Sequence, residues 1–126
     1  MLVTYGGKNV YPEEIEHYLN HSDFIAETLV LGVPREKGMG DEVGALIFPD
    51  YEQMDIYFEN KKKKPYEDDV HTLIKKEIVK FQKDLADYKH IKTFRVVTEE
   101  FQKTSTKKIK RFLYSGEMAK VNGGKV

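Results

Sequence analysis

The sequence of 126 residues contains no cysteine, which excludes a disulfide framework and thiolate metal sites and is compatible with a reducing compartment. Long apolar runs are missing too. The longest, around Thr28-Leu29-Val30-Leu31 and Ala45-Leu46-Ile47-Phe48, fall far short of the roughly 20 residues that span a bilayer. The N-terminus has no basic, apolar and small-residue order of a secretory signal. A cytoplasmic chain without a transmembrane segment is therefore expected. No repeat of solenoid length is present, no Gly-x-x-x-x-Gly-Lys-Ser/Thr phosphate loop, and no RNP-like aromatic segment or helix-turn-helix pattern.

What is present suits a single globular domain. Hydrophobic residues make up 40% of the chain, with 7 Phe and 8 Tyr as bulky core material, and 33% of residues are charged. That balance supplies both a core and a solvated surface, and argues against disorder. Net charge is zero, with 21 basic and 21 acidic side chains, but the charges are not evenly spread. Residues 1–60 carry 3 basic and 12 acidic side chains, whereas residues 101–126 carry 7 basic and 1 acidic. The C-terminal quarter is thus a local positive field that favours a phosphate-bearing partner.

The pattern predicts an α+β fold of order ββαββ(α)αβα: an N-terminal hairpin and a three-stranded sheet, flanked by helices. Leu2 to Tyr5 reads as a short strand that turns at Gly6-Gly7 and returns through Lys8 to Tyr11. Pro12 suits the first position of a helix, Glu13, Glu14 and Glu16 favour its positive end, and Ile15 with Leu19 gives an i, i+4 apolar pair. Ala26 to Val33 and Glu42 to Phe48 read as paired strands. Tyr51 to Asn60 allows a turn or two of helix, and the lysine run ending at Pro65 marks 51–65 as a mobile insertion. Val70, Leu73, Ile74, Ile78, Phe81 and Leu85 recur at helical spacing and predict the longest amphipathic helix, lying across the sheet. Ile91 to Thr98 is a third strand. Ile109, Phe112 and Leu113 give a final helix one apolar edge, and 122–126 reads as a frayed tail.

Three segments carry a resemblance that covers nearly the whole chain. They are Gly6-Gly7-Lys8-Asn9-Val10-Tyr11-Pro12-Glu13-Glu14-Ile15-Glu16, then Val30-Leu31-Gly32-Val33-Pro34 with Gly40-Asp41-Glu42-Val43-Gly44-Ala45, and finally Lys103-Thr104-Ser105-Thr106-Lys107-Lys108-Ile109-Lys110-Arg111. In this order they resemble the Gly-x-Asn-Ile-x-Pro-x-Glu-Ile-Glu element, the Gly-x-Pro-Asp loop and the Pro-Lys-Thr-x-x-Gly-Lys motif of the C-terminal domain of adenylate-forming enzymes. That superfamily includes acyl-CoA synthetases, luciferases and peptide-synthetase adenylation domains. Gln102 stands at the motif's proline and Lys107 at its glycine. The register therefore gives the catalytic lysine of the family to Lys108. If the glycine position needs positive φ, Lys107 carries on the order of 1 kcal/mol of strain.

The resemblance implies that residues 1–121 are the mobile C-terminal lid of an AMP-forming acyl-CoA synthetase. The larger N-terminal domain, which binds ATP and the acid, would lie outside this sequence, making Met1 a truncated start and the isolated chain inactive. Lys108 would serve adenylation. Gly6, Gly7 and Lys8 would face CoA, the glycines letting backbone approach the pantetheine arm and Lys8 assisting a phosphate. ATP and CoA are the implied cofactors of the whole enzyme, with Mg2+ held mainly outside this domain. The Gly-Gly-Lys-Asn variant leans toward fatty acids, without fixing chain length or excluding a carrier protein as acceptor.

Composition alone gives blander readings. The basic run fits a solvated helix entrance, and a Gly-Gly turn is most often an ordinary hairpin. His17 and His21 lie four apart, yet no third ligand completes a metal site, and His71 and His90 read as surface or helix-end residues. The alternative from another class is a small nucleic-acid-binding module using the basic C-terminal quarter.

Overall fold

The computed structural model describes residues 1–4, 6–34, 40–61, 67–114 and 124–125. It opens with the expected hairpin: β1 (Leu2–Val3) pairs antiparallel with β2 (Asn9–Val10) in the register Leu2↔Val10 and Val3↔Asn9. Leu2 and Val10 are buried while Val3 and Asn9 face solvent, the period-two alternation of a strand pair with one covered face. The chain enters α1 (Pro12–Leu19) with Pro12 in the first turn beside Glu13 and Glu14. Ile15 and Leu19 are fully buried. Asn20 closes the helix, its N–H donating to the Glu16 carbonyl at 2.9 Å.

The main sheet is built on β3 (Ile25–Pro34) and β4 (Asp41–Pro49), antiparallel with Leu29 opposite Leu46. The described part of β5 (Thr93–Val96) joins β4 in parallel, Gly44 opposite Thr93. A two-residue strand, β6 (Gly124–Lys125), adds antiparallel to β5, giving the order β3-β4-β5-β6. The sheet therefore has four strands where three were expected. Gly124 and Lys125, read as part of a frayed tail, bridge to Phe94 and Thr93; pairing with the open edge of β5 satisfies backbone groups that would otherwise face solvent. Residues 122, 123 and 126 of that tail lie outside the described residues.

Both faces of this sheet are covered, which explains why its two long strands, β3 and β4, contain apolar runs such as Leu29-Val30-Leu31 and Ala45-Leu46-Ile47-Phe48 rather than a strict alternation. On one face Val30, Ala45, Ile47 and Phe94 pack with Ile15 and Leu19 of α1 and with Leu73, Ile74 and Ile78 of α3 (Glu67–Gln82). On the other, Leu29 and Leu46 pack with Phe101, and Val97, Ile109 and Tyr114 close around them. The second layer is thus the segment after β5.

Two further expectations change. Tyr51–Asn60, placed in a mobile insertion, forms a continuous helix, α2, capped by the Asp50 carboxylate accepting from the Gln53 N–H at 3.1 Å. Met54 and Phe58, one turn apart, are buried in the core. Residues 62–66 of that stretch lie outside the described residues. The final helix is the second change: within the described residues only a 3-10 turn, Arg111–Leu113, forms. Ile109 sits instead on the arm of a hairpin, bridged to Lys103, so the predicted apolar edge is split, and Phe112 is 74% exposed.

Candidate functional site: two lysine-bearing hairpins

The segment singled out by its charge is a tight hairpin. Lys103 and Ile109 form an antiparallel bridge, and the Lys110 N–H donates to the Gln102 carbonyl at 2.8 Å. Between them the Thr104 N–H donates to the Lys108 carbonyl at 2.8 Å and the Lys107 N–H to the Thr104 carbonyl at 2.9 Å. This is a three-residue hairpin loop, the type whose last residue adopts a left-handed conformation. That residue is Lys107, at φ 64° the only non-glycine with positive φ among the described residues. The Thr104 hydroxyl tightens the turn, accepting from the Lys108 N–H at 3.2 Å and lying 3.0 Å from the Thr106 hydroxyl.

The N-terminal hairpin repeats this arrangement bond for bond. The Thr4 N–H donates to the Lys8 carbonyl and the Gly7 N–H to the Thr4 carbonyl, both at 2.9 Å. The Lys8 N–H reaches the Thr4 hydroxyl at 3.2 Å, and Gly7 has φ 78°. Each hairpin thus presents a lysine directly after its left-handed residue. A Cβ at Gly6 or Gly7 would meet no other atom within 4 Å; at Gly7 the requirement for glycine is conformational, and the backbone there is open to a ligand. Gly32 is constrained differently, since a Cβ there would run into the Asp41 carboxylate.

Side-chain pairing separates the cations of the lysine hairpin. The Lys103 ammonium is 2.5 Å from Glu27 and 2.8 Å from Glu100, and those hydrogen bonds, Glu100 foremost, hold it above the usual lysine range. Lys103 in turn draws the Glu100 carboxyl below its usual range. Arg111 donates to both Glu16 carboxylate oxygens, at 2.6 and 2.8 Å, and is raised chiefly by that bond. Lys107 and Lys108 are exposed, and neither side chain has a partner among the described residues. Two free ammonium groups therefore project from a turn containing no acid. On the other hairpin, the Lys8 ammonium lies 5.9 Å over the Tyr88 ring, and the adjacent Lys89 pairs with Glu14 at 2.9 Å.

Residue by residue, the structure sets Lys108 and Lys107 side by side and puts Gly6, Gly7 and Lys8 on a second turn that leads into α1. The histidines are occupied elsewhere. His21 Nδ1 bonds the His17 carbonyl at 2.8 Å, His90 Nε2 bonds the Leu85 carbonyl at 2.8 Å, and His71 stacks on Phe94. Among the described residues no three His, Asp or Glu side chains group to hold a metal. Sequence reasoning missed the Glu16–Arg111 pair. A signal existed: Glu16 follows Ile15 and lies one turn before Leu19, on a face where a carboxylate is buried and must find a partner.

The family model described as the AMP-binding enzyme C-terminal domain matches residues 1–120. The chain belongs to that family. No curated protein sequence matches it. Among solved structures, a benzoate CoA ligase from Burkholderia xenovorans LB400 is 26% identical with a TM-score of 0.61, covering 86% of this chain and 19% of its own. A Mycobacterium tuberculosis fatty acyl CoA synthetase is 24% identical with a TM-score of 0.61, covering 94% of this chain and 20% of its own. The o-succinylbenzoate CoA synthetase of Bacillus subtilis, as a double mutant with a product analogue, is 24% identical with a TM-score of 0.64, covering 99% and 20%. The last two share the fold. The α+β architecture is that of the C-terminal domain of adenylate-forming enzymes, and this chain spans about a fifth of the length of those structures.

Proposed function

We propose that this chain is the mobile lid of an AMP-forming acyl-CoA synthetase and that Lys108 is its adenylation lysine. The observation that carries the assignment is the left-handed backbone at Lys107. It falls at the position where the motif has glycine, so the next residue, exposed and unpaired, takes the place of the motif's lysine. Adenylation brings a carboxylate to the α-phosphate of ATP, so two anions must meet while charge builds on phosphorus. A compact ammonium on a long stem, placed against both, offsets that repulsion. The turn suits such an anion, with two free cations, the Ser105 and Thr106 hydroxyls and no carboxylate. Gly6, Gly7 and Lys8 would then serve the second step, in which the open backbone of the matching hairpin lies along the CoA arm after the lid turns on its hinge.

The acid is a carboxylic acid, a fatty acid by the Gly-Gly-Lys-Asn form of the first motif. The isolated chain would be inactive, since the rest of the site lies on the large N-terminal domain. The test uses the polypeptide containing both domains. Lys108→Ala is expected to reduce carboxylate-dependent pyrophosphate release by about a hundredfold or more, the scale of losing a charge-stabilising donor, and to spare CoA transfer from supplied acyl-adenylate. Equal loss of both steps would remove Lys108 from this role. A nucleic-acid module is disfavoured by the pairing, because Lys103 and Arg111 are already neutralised by Glu27, Glu100 and Glu16.

A further inference from the structure

Of the contacts outside the two turns, one joins the lysine hairpin to the rest of the domain through a buried charge. Glu16, on the inner side of α1, is 8% exposed. Its carboxylate accepts the Val30 N–H at 2.8 Å and both arms of the Arg111 guanidinium, at 2.6 and 2.8 Å. Arg111 also donates to the Val30 carbonyl at 3.3 Å. Val30 lies on β3, the edge strand of the sheet, so both of its outward backbone groups are satisfied by this one ion pair. At Val30 an edge that would otherwise offer a bare N–H and C=O is thereby covered, and a buried carboxylate gains the planar, two-pronged partner that fits it best.

Arg111 stands three residues beyond Lys108, at the foot of the hairpin's exit arm. The entry arm is held separately by Lys103 on Glu27 and Glu100. We propose that Arg111 is a positioning residue for Lys108: its fork on Glu16 and Val30 fixes the exit arm of the lysine hairpin to α1 and β3. Because α1 follows directly from the Gly6-Gly7 hairpin, the pair makes both turns ride on one rigid element. Lys108 then needs only its own side chain ordered when the lid closes, since the backbone beneath it is already fixed. The inference rests on the adenylation role proposed for Lys108 only in its functional half; the fixing of the hairpin stands apart from it.

The test separates the two. In the chain itself, Arg111→Lys keeps a positive charge against Glu16 but loses the fork, so the fold is retained while the anchor weakens. Hydrogen exchange at the Thr104, Lys108 and Lys110 amides is expected to rise roughly tenfold, with the amides of β4 unchanged. Glu16→Gln, made on a different element, is expected to loosen the same amides. Unchanged exchange there, or a uniform rise through the whole domain, would overturn the proposal. In the two-domain polypeptide Arg111→Lys should lower the rate of pyrophosphate release about tenfold at saturating substrate, with little change in CoA transfer from acyl-adenylate; equal loss of both steps would mark general support of the fold and overturn positioning. If Lys108→Ala leaves adenylation intact, the functional reading fails while the exchange measurements still decide whether Arg111 fixes the hairpin.

Discussion

Lys107 is the residue where backbone geometry and sequence disagree most. A side chain at φ 64° bears a left-handed penalty of roughly 1–2 kcal/mol that glycine escapes, partly offset by the extra freedom glycine has in the unfolded chain. Lys107→Gly is therefore expected to raise stability by up to about 1 kcal/mol in urea denaturation, while Gly7→Val, at φ 78° in the matching turn, should lower it. A loss of stability on Lys107→Gly would count against the left-handed assignment. This strain was legible in the sequence as a lysine standing where the motif has glycine. Glu16 is legible only in part: its place between Ile15 and Leu19 marks an acid that needs a partner once buried, but nothing local says that the partner arrives near the other end of the chain, at Arg111.

At the scale of elements, the lysine hairpin owes part of its order to carboxylates whose charge depends on pH. Glu100 has its folded pKa depressed by Lys103, so its contribution is present above the ordinary carboxylate range, about 4, and is lost as pH falls through the lower folded value. Lys103 is raised; its share is present below the ordinary lysine value and disappears as pH rises through the higher folded one. Order in residues 103–110, followed by amide exchange corrected for the intrinsic rate, should hold across neutral pH and decline at both extremes. A steady decline beginning near pH 7 would point to a histidine-linked cause instead. Elements with strong periodicity, α1 and α3, were legible because burial and spacing coincide. The helix α2 was obscured by its weakly patterned polar face and the lysine run after it, although Met54 and Phe58 reach the core one turn apart. Phe58→Ala should cost about 3–5 kcal/mol, as for other buried aromatics. A cost under about 1 kcal/mol, the scale of a surface substitution, would return this stretch to a loose insertion.

Across the whole molecule, the two-sided sheet keeps the helices on one face and the segment bearing the lysine hairpin on the other, with the Glu16–Arg111 pair joining the layers around the edge of β3. The composition foretold the charge gradient but not its cancellation, since only the folded chain brings Glu16 and Glu27 from the acidic half against Arg111 and Lys103 from the basic one. Among the described residues, the cancellation leaves Lys107 and Lys108 side by side on the turn with no side-chain partner. Which of the two works is the question on which the functional reading turns. The most direct measurement compares carboxylate-dependent pyrophosphate release by Lys107→Ala and Lys108→Ala in the two-domain polypeptide. Near-normal release with Lys107→Ala and a drop of about a hundredfold with Lys108→Ala is the expected result; the reverse order, or full activity in both, would contradict it.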